Sequence, residues 1–479
     1  MGISLIIGLL YTPLLINNLG LLSYGVVPIL YIIIEYVNVL SSAITSSLAR
    51  FYSKHYELKN FTESGSLLFT LIFLSLSLFF VVYISGNLIL RFFIDDVNNL
   101  YLENISFFKL GLASLMFTVL SALINVIFYT TNKLTIINTQ KVIRNVLKLL
   151  TVYILFKVDE ISLLSLGKSM VITEILVFLY VIYRIRGIRG AINFKIRIYR
   201  VWPVLAMAVW TIIHQLGYIT SSRIDIMTAG FIDVENLAAI LSPFAEMSSY
   251  VFILIASLSM LFGPIILQFY NRSLHDKILA ILSTTSFNLG LIAALLCGFI
   301  AGSSNLIINI WLSEEYLNYS HLLAYKLLPI PALVMSGLSS LVFRAWNNVR
   351  LPAVLSLING LVSLASILLV IKINPRLNVE TLLIISSLFQ ILGSYGINTW
   401  VVQRIYPSKR VLPIKEFLLV YIIFFITYTV TYLIILFFLQ LQLFSAILVS
   451  TLLVIIVSYI MVRCFSRGMI SLFNLIFAK

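Results

Sequence analysis

The sequence predicts an all-α protein that crosses the membrane many times, and three observations support this fold class. Hydrophobic residues make up 61% of the 479 residues and charged residues only 10%, with a mean hydropathy of +1.07. Soluble domains carry about 25% charged residues. The apolar residues form about fourteen long segments separated by charge, and the first half of the chain is faintly repeated in the second. Together these features predict a polytopic membrane protein built from two related halves.

Each apolar segment is interpreted as one transmembrane helix, because about 20 apolar residues cross the hydrocarbon of a bilayer. The first segment lacks a basic start and a small-residue cleavage site, so we expect it to be retained as a span. The fourteen predicted spans cover residues 1–16, 22–48, 65–85, 105–128, 141–156, 161–183, 202–230, 237–268, 278–300, 323–343, 352–371, 380–401, 417–438 and 443–462.

Four short matches relate the two halves of the chain at a nearly constant offset of about 218 residues. That offset contains six predicted spans, an even number, so the halves have the same orientation and are related by an axis along the membrane normal. The matches pair NLILRFFIDD from Asn87 with NLIINIWLSE from Asn305, RFYSK from Arg50 with QFYNR from Gln268, Phe128 and Asn132 with Phe343 and Asn347, and VIYR from Val181 with VVQR from Val401.

The repeat divides the chain into two six-helix lobes followed by two further helices. The N-terminal lobe covers 1–200 with spans 1 to 6, the C-terminal lobe covers 201–416 with spans 7 to 12, and 417–479 holds the two extra helices. The longest predicted external loops, 86–104 and 301–322, occupy equivalent places in the two lobes. Two lobes flanking a central path are typical of transporters.

The basic residues fix the predicted orientation. Most of the 32 Lys and Arg lie in loops that are cytoplasmic when the N-terminus is inside, and the loop from Arg184 to Arg200 alone holds six. The positive-inside rule therefore places both termini in the cytoplasm. The net charge of +14 reflects this anchoring. A nucleic-acid partner is not expected, because it would need a basic face on a folded soluble domain.

Motifs for catalysis, metal binding and nucleotide binding are absent from the sequence. The two cysteines, Cys297 and Cys464, lie in apolar segments, which indicates neither a disulfide framework nor a thiol metal site. The chain has no Walker-type glycine loop, no His-Glu-x-x-His and no Cys-x-x-Cys. We therefore expect no catalytic residues, no metal and no cofactor, and a function other than that of an enzyme.

Ionisable residues inside the predicted spans are the functional candidates, because a charge at mid-bilayer costs about 2.5–3.5 kcal/mol on insertion scales. The cations fit an anionic substrate, or else extend to the interface. The acids and the histidine fit a coupling proton or Na⁺, or else structural pairing with the lysines. The substrate-binding candidates are Arg223, Lys109, Lys326, Lys148 and Lys168, and the coupling or gating candidates are Glu35, Asp225, His214, Glu174 and Glu246.

Two spans carry polar residues at helical spacing, and such a stripe faces either a wet cavity or a hydrogen-bonded seam between helices. Arg223 is two residues from Asp225, so the two side chains point to different faces and do not simply neutralise each other. Lys109 and Lys326 lie near the outer ends of spans 4 and 10, at nearly equivalent places in the two lobes. The stripes are His214, Tyr218, Ser221 and Asp225 in span 7, and Glu35, Asn38, Ser42 and Thr45 in span 2.

The segment PLLINNLGLLSYG from Pro13, the following span that ends in Arg50-Phe51-Tyr52, and NLIINIWLSEEY from Asn305 resemble polysaccharide flippases. These are the O-antigen and capsule exporters of the multidrug/oligosaccharidyl-lipid/polysaccharide exporter superfamily. The resemblance covers nearly the whole chain, through diffuse motifs. It implies movement of an undecaprenyl-diphosphate-linked oligosaccharide from the cytoplasmic to the outer leaflet of the bacterial cytoplasmic (inner) membrane by alternating access.

The resemblance also implies a setting in polysaccharide biosynthesis, such as that of lipopolysaccharide O-antigen. The implied partners are membrane lipids, a coupling H⁺ or Na⁺, and polysaccharide polymerase and chain-length proteins. In this interpretation Arg223, Lys109 and Lys326 contact the diphosphate, whereas Glu35 and Asp225 couple or gate transport. Two alternatives remain open: a cation-coupled drug exporter of the same superfamily, and an integral-membrane polysaccharide polymerase, for which a large external catalytic loop is expected.

Overall fold

The computed structural model consists of helices and their connections, which confirms the all-α prediction over the residues it describes. These are residues 2–93, 100–131, 133–158, 161–186, 188, 193–197, 201–229, 237–260, 262–312, 314–346, 348–374, 378–405 and 413–438. Within these ranges ten helices are long and apolar enough to cross a membrane, so the chain is a multi-pass membrane protein.

Seventeen α-helices are described, together with a 3₁₀ helix at Glu314–Tyr319 and a π-helical turn at Leu392–Gly396. In chain order the helices are α1 (Gly2–Tyr24), α2 (Val26–Glu57), α3 (Phe61–Phe93), α4 (Leu100–Thr130), α5 (Leu134–Val158), α6 (Leu163–Ile185), α7 (Trp202–Thr228), α8 (Leu237–Met260), α9 (Gly263–Asn271), α10 (His275–Gly302), α11 (Ser304–Trp311), α12 (Leu322–Leu327), α13 (Ile330–Ala345), α14 (Arg350–Ile373), α15 (Val379–Ile391), α16 (Ile397–Ile405) and α17 (Ile414–Phe438).

Each of the first thirteen predicted spans coincides with helix, and the fourteenth, 443–462, lies outside the described residues. Three predicted spans are interrupted. The span 323–343 divides into α12 and α13 at Pro329 and Pro331, because proline cannot donate the backbone hydrogen bond that a continuous helix needs. The span 237–268 divides into α8 and α9, and 380–401 contains the π-helical turn.

The loop predicted at 301–322 is mostly helical, since it holds α11 and the 3₁₀ helix. Tyr316 lies in that 3₁₀ helix, is buried, and donates a hydrogen bond to the carbonyl of Ala239 (3.3 Å). Burial raises the pKa of the Tyr316 phenol, so it stays neutral and remains a donor. In the other long predicted loop, 86–104, residues 94–99 lie outside the described residues.

The chain divides by internal packing into two compact units, unit 1 (Met1–Leu216) and unit 2 (Gly217–Lys479). The division falls inside α7, so that helix contributes its first half to unit 1 and its second half to unit 2. The lobes predicted at 1–200, 201–416 and 417–479 therefore stay a prediction.

In unit 1, α4 packs against α2 and α6. Tyr52, Leu123 and Phe128 are fully buried in the shared core. The segment 193–197 lies along the start of α3. The backbone N–H of Arg197 donates to Thr70 Oγ1 (2.9 Å), and its guanidinium forms an ion pair with Glu63. Segment 193–197 is thus held against α3.

In unit 2, α10 packs against α13 and α17, while α7 crosses α14 at a pair of glycines. A Cβ at Gly217 would overlap the backbone of Ser356 and Leu357, and one at Gly360 would lie 2.6 Å from the carbonyl oxygen of Gly217. Only residues without a side chain allow this approach, which is the way small residues bring membrane helices into contact. Ser221 of the α7 stripe lies against α14 next to this crossing.

Candidate functional site

Asp225 and Lys326 form a buried ion pair in unit 2. Asp225 lies near the end of α7 and Lys326 in the short helix α12, with side chains 0% and 5% exposed. Neither residue extends to the interface. Asp225 is therefore paired with a lysine, which is one of the two alternatives that the sequence left open for the acidic candidates. That lysine, Lys326, is itself a candidate substrate-binding residue.

Arg223 lies close enough for its positive charge to act on the Lys326 ammonium. The side chain of Arg223 is half-buried, whereas that of Asp225 is fully buried. This agrees with the expectation that Arg223 and Asp225, two residues apart on a helix, point to different faces. The cluster therefore contains one carboxylate and two basic side chains.

Hydrogen bonds attach the surrounding helices to this cluster. Ser387 of α15 donates to the carbonyl oxygen of Tyr325 (2.9 Å), the residue before Lys326. Asn359 of α14 donates from Nδ2 to Ser221 Oγ on α7 (3.2 Å) and to the carbonyl oxygen of Phe389 on α15 (3.1 Å). The second half of α7 is thereby connected to α14 and α15.

The π-helical turn Leu392–Gly396 begins three residues after Phe389. A π turn widens the helix and shifts the backbone hydrogen bonds from the i−4 to the i−5 carbonyl, and such turns are frequent at functional sites. Here Ile397 N–H reaches the carbonyl of Leu392. Asn359 is the polar side chain adjacent to the turn, since a Cβ at Gly393 would collide with its amide group.

In unit 1 the acidic candidate Glu174 is paired with an arginine. Arg144 Nε lies 2.8 Å from Glu174 Oε1 and Arg144 Nη2 lies 3.1 Å from Oε2, a two-point contact between α5 and α6. The side chains of Thr151 and Thr173 hydrogen-bond nearby (2.8 Å). Arg144 of α5 therefore neutralises Glu174, so the partner of this acid is not a lysine.

Lys148 has a different environment, made of aromatic rings. Its Nζ lies 4.0 Å from the ring centroid of Tyr11 on α1 and 4.9 Å from that of Tyr31 on α2. The two tyrosine hydroxyls are 3.2 Å apart and hydrogen-bonded. Rings at these distances attract an ammonium through their π faces. Three helices of unit 1 thus meet around one cation.

The remaining candidates are less tightly defined. Lys109, near the outer end of α4, is half-buried, so it does not share the buried environment of Lys326 despite their similar positions in the repeat. In the two stripes, Ser42 donates to Gln215 Oε1 (3.1 Å) and Ser221 accepts from Asn359, which are interhelical hydrogen bonds. Glu35, His214 and Glu246 are half-buried, and Lys168 is exposed.

No metal site emerges from the part of the chain that the structure describes, where no group of three or more His, Cys, Asp or Glu residues could hold an ion. The sequence did not indicate Tyr11, Tyr31 or Asn359 as site residues. Tyrosine and asparagine carry no charge, so the criterion of ionisable residues inside spans excluded them. Their common signal, a polar side chain in an apolar segment, also occurs at many serines and threonines of this chain.

Comparisons with known proteins identify a similar sequence and solved structures with the same fold. No protein-family model matches the chain. A Bacillus subtilis (strain 168) protein described as the uncharacterized membrane protein EpsK is 22% identical over 378 residues, covering 75% of this chain and 73% of that protein. The lipid II flippase MurJ, in an inward closed conformation, aligns with a TM-score of 0.70 and 18% identity over 98% of both chains.

A multidrug resistance MATE transporter of the MOP superfamily, in an inward-facing conformation, aligns with a TM-score of 0.69 and 12% identity. The alignment covers 84% of this chain and 95% of that one. Similarity at these levels of identity concerns the fold. The chain therefore has the fold that the MurJ flippase shares with the MATE transporters of the MOP superfamily.

Proposed function

We propose that this protein is a flippase that moves an undecaprenyl-diphosphate-linked oligosaccharide from the cytoplasmic to the outer leaflet. The observation that carries the proposal is the alignment with a lipid flippase over 98% of both chains, against 84% of this chain for a MATE transporter. A drug exporter and a flippase share the fold, but a larger share of this chain has counterparts in the flippase.

The charges of the two units support an anionic cargo. A diphosphate cannot cross hydrocarbon unaided, so its carrier must offer cations in place of water. Arg223 is half-buried and lies in the same cluster as the Asp225–Lys326 pair, and its planar guanidinium matches the geometry of a phosphate. Lys109 remains a second proposed contact for the diphosphate, while Lys326 would become available only if its pair with Asp225 opened.

Coupling and gating are proposed for acidic residues of both units. Asp225 is the strongest candidate, because protonation of this carboxylate or binding of Na⁺ to it would release Lys326 and change the net charge of the cluster. Glu35, on the polar stripe of α2, is the corresponding candidate in unit 1, with His214, Glu174 and Glu246 as further titratable groups. Alternating access would couple such changes to the movement of two lobes.

The proposed location is the bacterial cytoplasmic (inner) membrane, with both termini in the cytoplasm. There the protein would act in polysaccharide biosynthesis, of O-antigen or capsule type, beside a polymerase and a chain-length protein. The structures with this fold are transporters, which supports a function other than that of an enzyme. The polymerase alternative is weakened by the helical character of 301–322, one of the two longest predicted external segments.

A cation-coupled drug exporter is the second candidate, favoured by the MATE alignment and by an ionisable pair buried in unit 2. The two functions differ in the charge of the cargo. A flippase requires the diphosphate and a cation to contact it, whereas an exporter of organic cations would bind its cargo at acidic or aromatic groups.

The deciding experiment is a flipping assay in vesicles that contain the purified protein and a defined lipid-linked oligosaccharide. The wild type should move the lipid to the opposite leaflet, and Arg223→Ala should reduce the rate strongly, while both exclude organic cations. Vesicles with Lys157→Ala serve as the control, because this variant also removes one positive charge but at an exposed position at the end of α5. Ion-driven efflux of organic cations without lipid movement would instead establish the exporter.

A further inference from the structure

Lys148 lies near the middle of α5 against two aromatic rings, whereas Lys277 and Arg404, which each lie over one ring, are at helix ends. Arg144, one turn earlier on α5, is neutralised by Glu174, and Lys326 in unit 2 is neutralised by Asp225. No carboxylate lies within ion-pair distance of Lys148 among the residues that the structure describes; its neighbours are the rings of Tyr11 and Tyr31. Arg144 and Lys326 thus each have an acidic partner, whereas Lys148 has none among the described residues.

The position of Lys148 makes this arrangement costly without a ligand. The residue lies near the middle of the 25-residue helix α5, and its side chain is half-buried. Removing an ammonium from water is expensive, and attraction to aromatic rings offsets only part of that cost. An anion that enters the site and contacts Nζ would offset the rest, because charge-assisted hydrogen bonds are the strongest that an ammonium makes.

The tyrosines also fix the geometry of the lysine. Rings from α1 and α2 lie against the ammonium, and their hydroxyls are hydrogen-bonded to each other at 3.2 Å, so neither ring turns independently. A long flexible side chain normally loses entropy when it binds a ligand, and a site that already holds it in place binds more tightly. The two aromatic contacts therefore prepare the ammonium for an anion.

We propose that Lys148, held between Tyr11 and Tyr31, is the group of unit 1 that binds phosphate oxygens, and that its ligand is the diphosphate of the lipid-linked cargo. This inference rests on the proposed function and sharpens it, since it prefers Lys148 to Lys109 as the anion contact of unit 1 and treats Lys326 as a structural partner of Asp225. An ammonium offers three N–H donors, which suits the non-bridging oxygens of a diphosphate. The phosphate of an ordinary phospholipid has the same chemistry and is the competing source.

The test measures binding to the purified full-length protein in lipid nanodiscs, with undecaprenyl diphosphate as the probe and phosphatidylglycerol as the competitor. Lys148→Met keeps the length of the side chain and its contact with the rings but removes the charge. We expect it to weaken binding of undecaprenyl diphosphate by about 10-fold or more, while Lys148→Arg stays within about 3-fold of the wild type. Lys157→Met, at the exposed end of the same helix, should bind like the wild type.

Tyr31→Leu provides a second measurement, because it keeps the lysine and removes one ring. It still tests the proposal if the lysine variants fail to fold. It should weaken binding several-fold. Wild-type affinity in both a correctly folded Lys148→Met and Tyr31→Leu would overturn the proposal. Equal affinity of the wild type for phosphatidylglycerol and undecaprenyl diphosphate would overturn the assignment to the cargo.

The binding measurement is independent of transport, so the two proposals fail separately. A wild-type protein that binds the diphosphate lipid through Lys148 but does not move it between leaflets supports the site and contradicts the flippase function. A wild type and a Lys148→Met variant that both bind and move the lipid equally support the function and contradict the site.

Discussion

Asp225 of α7 and Lys326 of α12 form an ion pair whose side chains are 0% and 5% exposed. The pair joins residues that are far apart in the sequence, and it belongs entirely to unit 2. Burying two charges is expensive, and their attraction repays the cost only when both are present. Loss of either partner should therefore lower the stability of the protein and change the net charge of the cluster.

We predict that Asp225→Leu strongly destabilises the protein, by about 3–5 kcal/mol, because it leaves the Lys326 ammonium buried without a partner. The double variant D225L/K326M should recover most of that loss, since two apolar side chains can replace a buried pair at little cost. Unfolding of the detergent-purified protein measures both variants.

The exposed pair His321–Glu380 of the same unit is the control for that prediction. Its side chains are 50% and 39% exposed, and Glu380→Gln should change stability by only about 0–1 kcal/mol. A loss for Asp225→Leu no larger than that for Glu380→Gln would show that the buried pair does not contribute as described.

The crossing of α7 and α14 makes a second prediction. Gly217→Ala places a Cβ on the backbone of Ser356 and Leu357, which cannot move aside as a side chain can, so we expect a loss of about 1–3 kcal/mol or more. Gly337→Ala is the matched control, because its Cβ would lie 3.9 Å from Ser259 Oγ, an ordinary contact. That variant should be neutral or stabilising by up to about 1 kcal/mol. Thermal midpoints in detergent compare the two, and equal midpoints would contradict the close crossing.

Asn359 should be sensitive to the chemistry of its side chain. Asn359→Ala removes the hydrogen bonds to Ser221 and to the Phe389 carbonyl, at a cost of about 1–3 kcal/mol. Asn359→Asp should cost more, because a carboxylate places negative charge against a carbonyl oxygen and cannot donate to it. Asn138→Ala, on the exposed face of α5, should stay within about 0.5 kcal/mol of the wild type. An Asp variant as stable as wild type would contradict the assigned donor.

Arg144 and Glu174 should contribute to stability as a coupled pair, and the coupling energy should depend on the planar guanidinium that makes two contacts with the carboxylate. A double-mutant cycle with Arg144→Ala and Glu174→Ala is expected to give a coupling of about 1–2 kcal/mol, since the contact is two-point and partly buried. Arg144→Lys keeps the charge but cannot form both hydrogen bonds, so it should lose part of the stability. A coupling energy near zero in unfolding measurements would indicate that the contact is not formed in the protein.

Much of the candidate site was within reach of the sequence as a set of residues, because charges in apolar segments are visible without coordinates. Asp225, Lys326, Glu174 and Lys148 were all named on that criterion. The pairing of Asp225 with Lys326 was not visible, and Arg144, Tyr11 and Tyr31 were not named as partners. Helical spacing relates residues three or four apart, and the partners here lie on other helices, at separations that no periodicity encodes.

Hydropathy alone was enough to predict an all-helical membrane protein and the approximate positions of its spans, because backbone polar groups in the bilayer must be satisfied within helices while apolar side chains face the lipid. Which charges are neutralised depends on the tertiary structure. Arg144 and Lys326 have acidic partners, whereas Lys148 has two tyrosine rings. The physical reason is that the cost of a buried charge depends on what lies within a few ångströms of it, and packing brings those groups together from distant parts of the chain.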